Sequence, residues 1–447
     1  MTSLNKNFTT IGLIKFSISS MLMMVFLASY TAVDGMFISN FGEDNAMAAL
    51  NIVMPVISAI LALSFMFSTG INSIISKYMG EGKQDKANSM LSTIYIIATI
   101  VGIIISLICF IFQDQILHLI GANDLLLPIA KRYFTVIIFF IPFLFLQDFG
   151  QVFFITASRP SFAFLFTVIG GVINAILDYV FLVKMNMGIS GAALATGIGY
   201  LFPSLASIIY FLIRRENNIC FGKPEFDWKN LFCGFYNGSS EFIANISQAV
   251  TVVFTNFIIL SLAGEVGVNA MGVVVQIQFL LVSLFIGYSI GVLPIISYKY
   301  GEQNQEQLLS VIKKSVKIVI SVSAIMVFGA LIFKNQIIGS YLDSSSEEFL
   351  IATNGFSIYA WGFLAMGFNF FASMMFTGIS DAKSSITIAI LRTFVFLGMF
   401  MFILPKMFGL TGVFLAVPFA ETLTLLVSIF LMKKKLTNIK FGGKVHG

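Results

Sequence analysis

Charge is scarce in this chain. Asp, Glu, Lys and Arg together make up 11% of its 447 residues, against 58% hydrophobic residues, and mean hydropathy is +0.95. A water-soluble domain carries about twice that share of charge, so the composition excludes one. Histidine is nearly absent: His118 and His446 both fall outside the apolar runs, which excludes an intramembrane histidine relay. There are 3 cysteines. Cys109 lies inside an apolar run, and Cys220 and Cys233 lack any paired-thiol spacing, so neither a disulfide framework nor redox chemistry is indicated. No phosphate-cradling loop is present, since Gly80-Glu81-Gly82 lacks the Gly-Lys-Ser/Thr ending. The chain therefore does not hydrolyse ATP itself, and energy for any work must come from an ion gradient. No His-rich metal motif or nucleophile–base pair points to an intramembrane enzyme either.

What the chain has in abundance is long apolar runs. Runs such as 94–112 and 136–145 contain nothing more polar than Ser, Thr, Gly, Pro or Cys. About 20 such residues cross the hydrocarbon core as a helix. Twelve spans are predicted: 14–38, 49–76, 91–112, 132–157, 162–183, 191–213, 238–263, 270–296, 316–334, 352–377, 385–406 and 410–432. The fold class is an all-α membrane protein. The first run is too long for a signal peptide and lacks a cleavage site. With a cytoplasmic N-terminus, 20 Lys and Arg fall on the cytoplasmic side and 5 on the other, leaving Arg392 inside a span. That bias places both termini in the cytoplasm. The net charge of +5 thus reports topology and not nucleic-acid binding.

The chain also repeats itself. Ile74-Ile75-Ser76-Lys77-Tyr78-Met79-Gly80-Glu81 returns as Ile295-Ile296-Ser297-Tyr298-Lys299-Tyr300-Gly301-Glu302, an offset of 221. At the same offset, Gly188-Ile189-Ser190-Gly191 and Leu194-Ala195 return as Gly409-Leu410-Thr411-Gly412 and Leu415-Ala416. So long a period marks two halves of one molecule. The hydrophilic segment around Pro224 joins them. The expected organisation is an N-lobe (1–213), an interlobe loop (214–237), a C-lobe (238–432) and a basic tail (433–447). Six spans per half make the repeats parallel, the pattern of a two-lobed membrane transporter.

Carboxylates in a bilayer cost at least about 2.5 kcal/mol each, so each needs a reason. Asp34 lies about 6 Å from the outer end of span one. Asp178 in span five and Thr196 in span six lie at similar depth, and Asn174 shares a helix face with Asp178 at i,i+4. The second half has Val395, Met399 and Val417 opposite Asn174, Asp178 and Thr196. An architectural requirement should recur in both halves; a polar cluster in one half points to function. Two carboxylates, an amide oxygen and a hydroxyl are hard ligands suited to Na⁺ or to a proton shared by an acid pair. The bland alternative is a hydrogen-bonded network gluing helices.

Other polar positions are less directional. Asp148 is deeper, its repeat partner is Asn369, and a pair with Arg392 across the lobes is one expectation. Glu421 at mid-span suits cation recognition or helix packing; Glu241 reads as interfacial. Asn245, Gln248 and Thr255 form a stripe on span seven, and Gln276 and Gln278 follow on span eight. Asn245, Gln248, Thr255, Gln276, Asn369 and Glu421 are the substrate-cavity candidates, and interhelical glue is the competing reading. Among the 50 Phe and 21 Met, a subset on cavity walls would suit aromatic or cationic ligands.

The chain resembles the multidrug and toxic compound extrusion (MATE) transporters of the bacterial DinF-like or MepA-like kind. The resemblance runs from Val33-Asp34-Gly35-Met36-Phe37-Ile38 to Ala420-Glu421. It is carried most by Asn174-Ala175-Ile176-Leu177-Asp178-Tyr179 and Gly191-Ala192-Ala193-Leu194-Ala195-Thr196. It implies two six-helix bundles and a cation site at Asp34, Asn174, Asp178 and Thr196. It also implies export of organic cations or amphipathic drugs driven by Na⁺ or H⁺, without another cofactor. The expected setting is the bacterial inner membrane, with the chain a monomer in contact with lipid. Acids that some members place in spans seven and ten are not carried over, because span ten is neutral around Asn369. A flippase for lipid-linked precursors is the alternative on the same scaffold, but transport of anionic headgroups would need basic cavity residues, and only Arg392 could supply one.

Overall fold

The computed structural model describes residues 3–213 and 218–440. Among these there is no strand; nearly every residue is helical. The spans begin with α1 (Thr10–Phe41), α2 (Ala46–Gly80) and α3 (Gln84–Ile111). After a short helix, Gln113–Ile120, α4 consists of Leu127–Ile138 and Ile141–Thr156, bent by 56°. Next come α5 (Pro160–Lys184) and α6 (Ile189–Leu212). A continuous helical stretch, Trp228–Gly301, holds 74 residues. At 1.5 Å per residue it would run to about 110 Å, several times the thickness of a hydrocarbon core. Gly264 breaks it with φ 61°, ψ −156°, giving α7 (228–263) and α8 (265–301). The remaining spans are α9 (Gln305–Gly339), α10 (Glu347–Gly378), α11 (Ala382–Phe408) and α12 (Leu410–Lys440). Among the described residues, twelve helices long and apolar enough to cross a membrane therefore stand where the sequence has twelve apolar runs.

The bend in α4 has a local cause. Pro142 has no N–H, so the carbonyl of Ile138 loses its helical donor. Ser106 on α3 supplies one instead, its hydroxyl donating to that carbonyl at 2.8 Å. Gly102 lets the bend sit tight against α3, because a Cβ there would lie 2.7 Å from the Cα of Pro142.

The duplication extends to the backbone. Gly188 and Gly409 have φ 60°, ψ −153° and φ 56°, ψ −137°. Gly82 and Gln303, also 221 apart, both have positive φ, 74° and 55°. The bend of α4 recurs in α10 as a 3₁₀ turn, Ala360–Gly362. Ser17 stands to Gly291 as Gly238 stands to Gly70: a Cβ on Gly291 would be 2.9 Å from Ser17 Cβ, and one on Gly70 2.8 Å from the Gly238 nitrogen.

The chain divides into two compact units, Met1–Lys6 with Leu22–Gly238, and Asn7–Met21 with Ser239–Gly447. The first unit packs around aromatic residues of α3, α4 and α6, with Tyr95 edge-on to Phe149 and Phe211. The second has its core at Phe356, Tyr359 and Phe363 on α10 and Phe414 on α12. The units are not the two halves of the sequence unchanged, because the start of α1 groups with the second and the start of α7 with the first.

The expected interlobe loop at 214–237 is shorter in the structure. Residues 214–217 lie outside the described residues. From 218 to 225 the chain is strapped along α3: Cys220 N donates to Asn88 Oδ1 at 3.1 Å, Gly222 N to Ser92 Oγ at 2.9 Å, and Thr93 Oγ1 to Glu225 O at 3.0 Å. Helix α7 then starts at Trp228, ten residues before the expected span. Asp227 caps it by accepting from Asn230 N at 3.2 Å, and Gly234 and Gly238 let its first turns approach α2. The expected basic tail is helical through Lys440, and 441–447, with His446, lies outside the described residues.

Candidate cation site

Small residues bring the site helices together. A Cβ on Gly170 (α5) would lie 2.8 Å from Gly199 O (α6), and one on Gly199 would lie 3.2 Å from Asn174 Cβ. At that separation Asn174 Nδ2 reaches Thr196 Oγ1 at 3.4 Å, a long hydrogen bond. Asp34 on α1 lies near Asp178 and Asn174. The structure thus brings together all four residues that depth alone selects. All are buried: Asp34 and Thr196 are 6% exposed, Asn174 2% and Asp178 0%. Asp178 ends the α-helical part of α5, and a wider π-turn, Tyr179–Lys184, follows it. Such insertions concentrate at functional positions.

The electrostatics are unbalanced. Neither Asp34 nor Asp178 has a cationic partner among the described ion pairs. Asp34 Oδ1 and both carboxylate oxygens of Asp178 receive no hydrogen bond from the protein. Buried carboxylate oxygens without donors are costly, and two acids side by side repel unless a cation or a shared proton lies between them. The donor set of two carboxylates, one amide oxygen and one hydroxyl fits either.

Three tyrosines were missed by sequence reasoning. Tyr30 lies near Tyr200, and Tyr133 lies near Thr196. The signal was present for two of them: Tyr30 is one turn before Asp34, and Tyr200 one turn after Thr196, so each shares a face with a selected residue. Tyr30, Gln147, Asn174, Thr196 and Tyr200 border a cavity of about 10 Å³. That is room for about one water or ion, not for a drug-sized molecule.

The second unit holds a different polar cluster. Arg392 on α11 donates through Nε to Glu421 Oε1 on α12 at 2.6 Å. Glu421 thus takes the guanidinium expected to pair with Asp148. Asp148, 4% exposed, faces Ser64. Asn369 donates to Glu421 Oε2 at 2.8 Å and to its carbonyl at 2.9 Å, and accepts from Ser428 at 3.0 Å. Glu241, read as interfacial, is half-buried and within electrostatic range of Arg392. The stripe expected on α7 splits: Thr255 is buried against Met401 Sδ, whereas Asn245 and Gln248 are exposed, and Asn245 donates to Glu241 O on its own helix. Gln276 is exposed; Gln278 accepts from the Tyr359 hydroxyl. Of the second-lobe candidates, the structure brings only Asn369 and Glu421 together.

The MatE family profile matches residues 19–180 and again 242–403. The chain belongs to the MatE family. Matching once in each half, the profile sees the same duplication as the 221-residue offset. The multidrug export protein MepA of Staphylococcus saprophyticus is 23% identical over 435 residues, 95% of this chain and 94% of its own. MepA of Staphylococcus aureus is 24% identical over 439 residues with the same coverage. A structure described as the outward-facing conformation of a multidrug resistance MATE family transporter aligns with TM-score 0.90 at 21% identity over 96% of each chain. A MATE structure in the bent conformation aligns with TM-score 0.90 at 20% identity over 98% of each. At those identities the structures establish a shared fold. This MatE chain is a multi-pass membrane transporter with two six-helix repeats and is not an enzyme.

Proposed function

We propose that this MatE chain exports cationic, amphipathic compounds, many of them drugs, in exchange for Na⁺ or H⁺, by alternating access. The coupling cation is taken by Asp34, Asn174, Asp178 and Thr196; no other cofactor takes part. The protein works as a monomer among lipids in the bacterial inner membrane, with both termini in the cytoplasm. Similarity to the MepA exporters along almost the whole chain supports the direction and class of transport.

The observation that carries the coupling reading is the apposition of Asp34 and Asp178 with three carboxylate oxygens lacking donors. A cation bound there offsets the repulsion between the two carboxylates and stabilises the packing of α1, α5 and α6 that contains it. Release of the cation removes that stabilisation. A ligand shifts a conformational equilibrium only through such differential affinity. The positions of the second half that correspond to Asn174, Asp178 and Thr196 are Val395, Met399 and Val417, and Asp34 corresponds to Thr255 or Ile258, so no carboxylate recurs there. Ion binding therefore acts on one lobe.

The flippase reading is weaker. Its requirement for free basic groups inside the membrane rests on Arg392, whose charge is met by Glu421. The test is efflux of a fluorescent organic cation from proteoliposomes with Na⁺ and pH gradients imposed separately. Efflux driven by one gradient and lost in Asp178→Asn supports antiport. Movement of a labelled lipid without cation efflux would contradict it.

A further inference from the structure

The Arg392–Glu421 pair is an unusual way to pair an arginine within a membrane span. Guanidinium and carboxylate form their strongest pairs bidentately, yet here one bond is made, through Nε. The rest of the guanidinium lies over Phe370, with Cζ 3.7 Å from the ring centroid. A carboxylate beside an aromatic face is the chemistry that recognises an organic cation.

The acid does not depend on Arg392 for its position. Asn369 holds Glu421 by its other oxygen and by its carbonyl, and Ser428 in turn holds Asn369. Glu421 therefore stays in place when the guanidinium leaves. A second acid, Glu241, lies in the neighbourhood of Arg392. Arg392 also has freedom to leave. It stands on the π-turn Leu391–Leu397, none of whose residues is buried, and its own side chain is 13% exposed.

We propose that Glu421 and the face of Phe370 form a binding site for planar monovalent organic cations, which Arg392 fills from within and yields to an entering cation by exchange. Arg392 sets the affinity, since only a cation that stacks and pairs better than a tethered guanidinium displaces it. The site rests on the export reading for its role in transport, but its occupancy is measured without any gradient.

The test is equilibrium binding of ethidium to the purified full-length protein in detergent, followed by fluorescence anisotropy. Arg392→Met removes the internal competitor and should bind ethidium at least about fivefold tighter, the low end of ordinary coupling strengths. The gain should vanish in Arg392→Met/Glu421→Gln, and methylguanidinium should compete for Arg392→Met. Unchanged or weaker ethidium binding in a cooperatively melting Arg392→Met, or no competition by methylguanidinium, overturns the proposal. If Arg392→Met fails to fold, Arg392→Lys keeps the charge and loses the planar stack; tighter binding supports exchange, and wild-type binding overturns it. Failure of antiport with the binding gain intact would remove the export reading and leave the site standing. Gradient-driven efflux without a binding gain would remove the site alone.

Discussion

Asp34 on α1 and Asp178 on α5 lie near each other at 6% and 0% exposure, and among the described residues no cation is ion-paired with either. Helix packing would be served equally by two neutral residues. Asp178→Asn keeps the size and removes the charge, so it should reach wild-type expression and melting temperature while driven efflux falls to the level of empty liposomes. Efflux assay and thermal melting on the same preparation check this. Wild-type efflux from Asp178→Asn would move the coupling elsewhere.

Gly409 should not tolerate a side chain. Its φ of 56° with ψ of −137° lies where residues with a Cβ are strained, at a cost of about 1–3 kcal/mol. A Cβ there would meet nothing within 4 Å, so the whole effect of Gly409→Ala is backbone strain. Gly409→Ala should lower the melting temperature, and Gly188→Ala should do so by at least as much, since its φ and ψ are alike and a Cβ there would also meet Glu43 Oε1 at 3.3 Å. An unchanged melt for either would contradict the common turn.

Ser106→Ala should destabilise through the bend of α4. It strips the Ile138 carbonyl of its replacement donor, at a cost of about 0.6 kcal/mol, the usual value of an interhelical bond in a membrane. In Pro142→Ala the backbone can supply its own donor. The cost of Ser106→Ala should then shrink, and a double-mutant cycle on melting temperature reads the difference.

Asp227, outside the spans, has its carboxyl held below the usual range by the hydrogen bond from the Asn230 side chain and then by the Asn230 backbone. A depressed value means that its support of the α7 start is complete above the unfolded value near 3.9 and is lost as pH falls through the folded one. Stability contributed by Asp227 should therefore be flat from about pH 5 to 8 and decline only in acid. Asp227→Asn, also a good cap, should weaken that acid dependence. A dependence near neutrality that disappears in Asp227→Asn would contradict the assignment.

The membrane fold is legible in the sequence because bilayer thickness sets the length of every apolar run, and the duplication because both halves keep turns such as Gly188 and Gly409 where few other residues fit. The Asp34, Asn174, Asp178 and Thr196 group is legible because depth along a straight helix needs only 1.5 Å per residue. Pairing across helices needs the face as well as the depth. The π-turn Leu391–Leu397 inserts residues and rotates Arg392 relative to a regular 3.6-residue spacing. Hence Glu421 as its partner could not be read, and Asp148 looked as suitable. The early start of α7 was hidden for another reason: 228–237 is helical through its Asp227 cap and glycine packing, in a segment too polar to read as membrane.

The most direct test of ion coupling at Asp34 and Asp178 is the affinity of purified protein for an organic cation, titrated across Na⁺ concentrations and across pH. Coupling is reciprocal, so the factor by which ion weakens substrate binding must equal the factor by which substrate weakens ion binding. The expected result is an apparent substrate affinity that falls as either Na⁺ or H⁺ rises, with that dependence abolished in Asp34→Asn and Asp178→Asn. An affinity flat in both series, with Asp34→Asn identical to wild type, would show that these two acids only hold helices together.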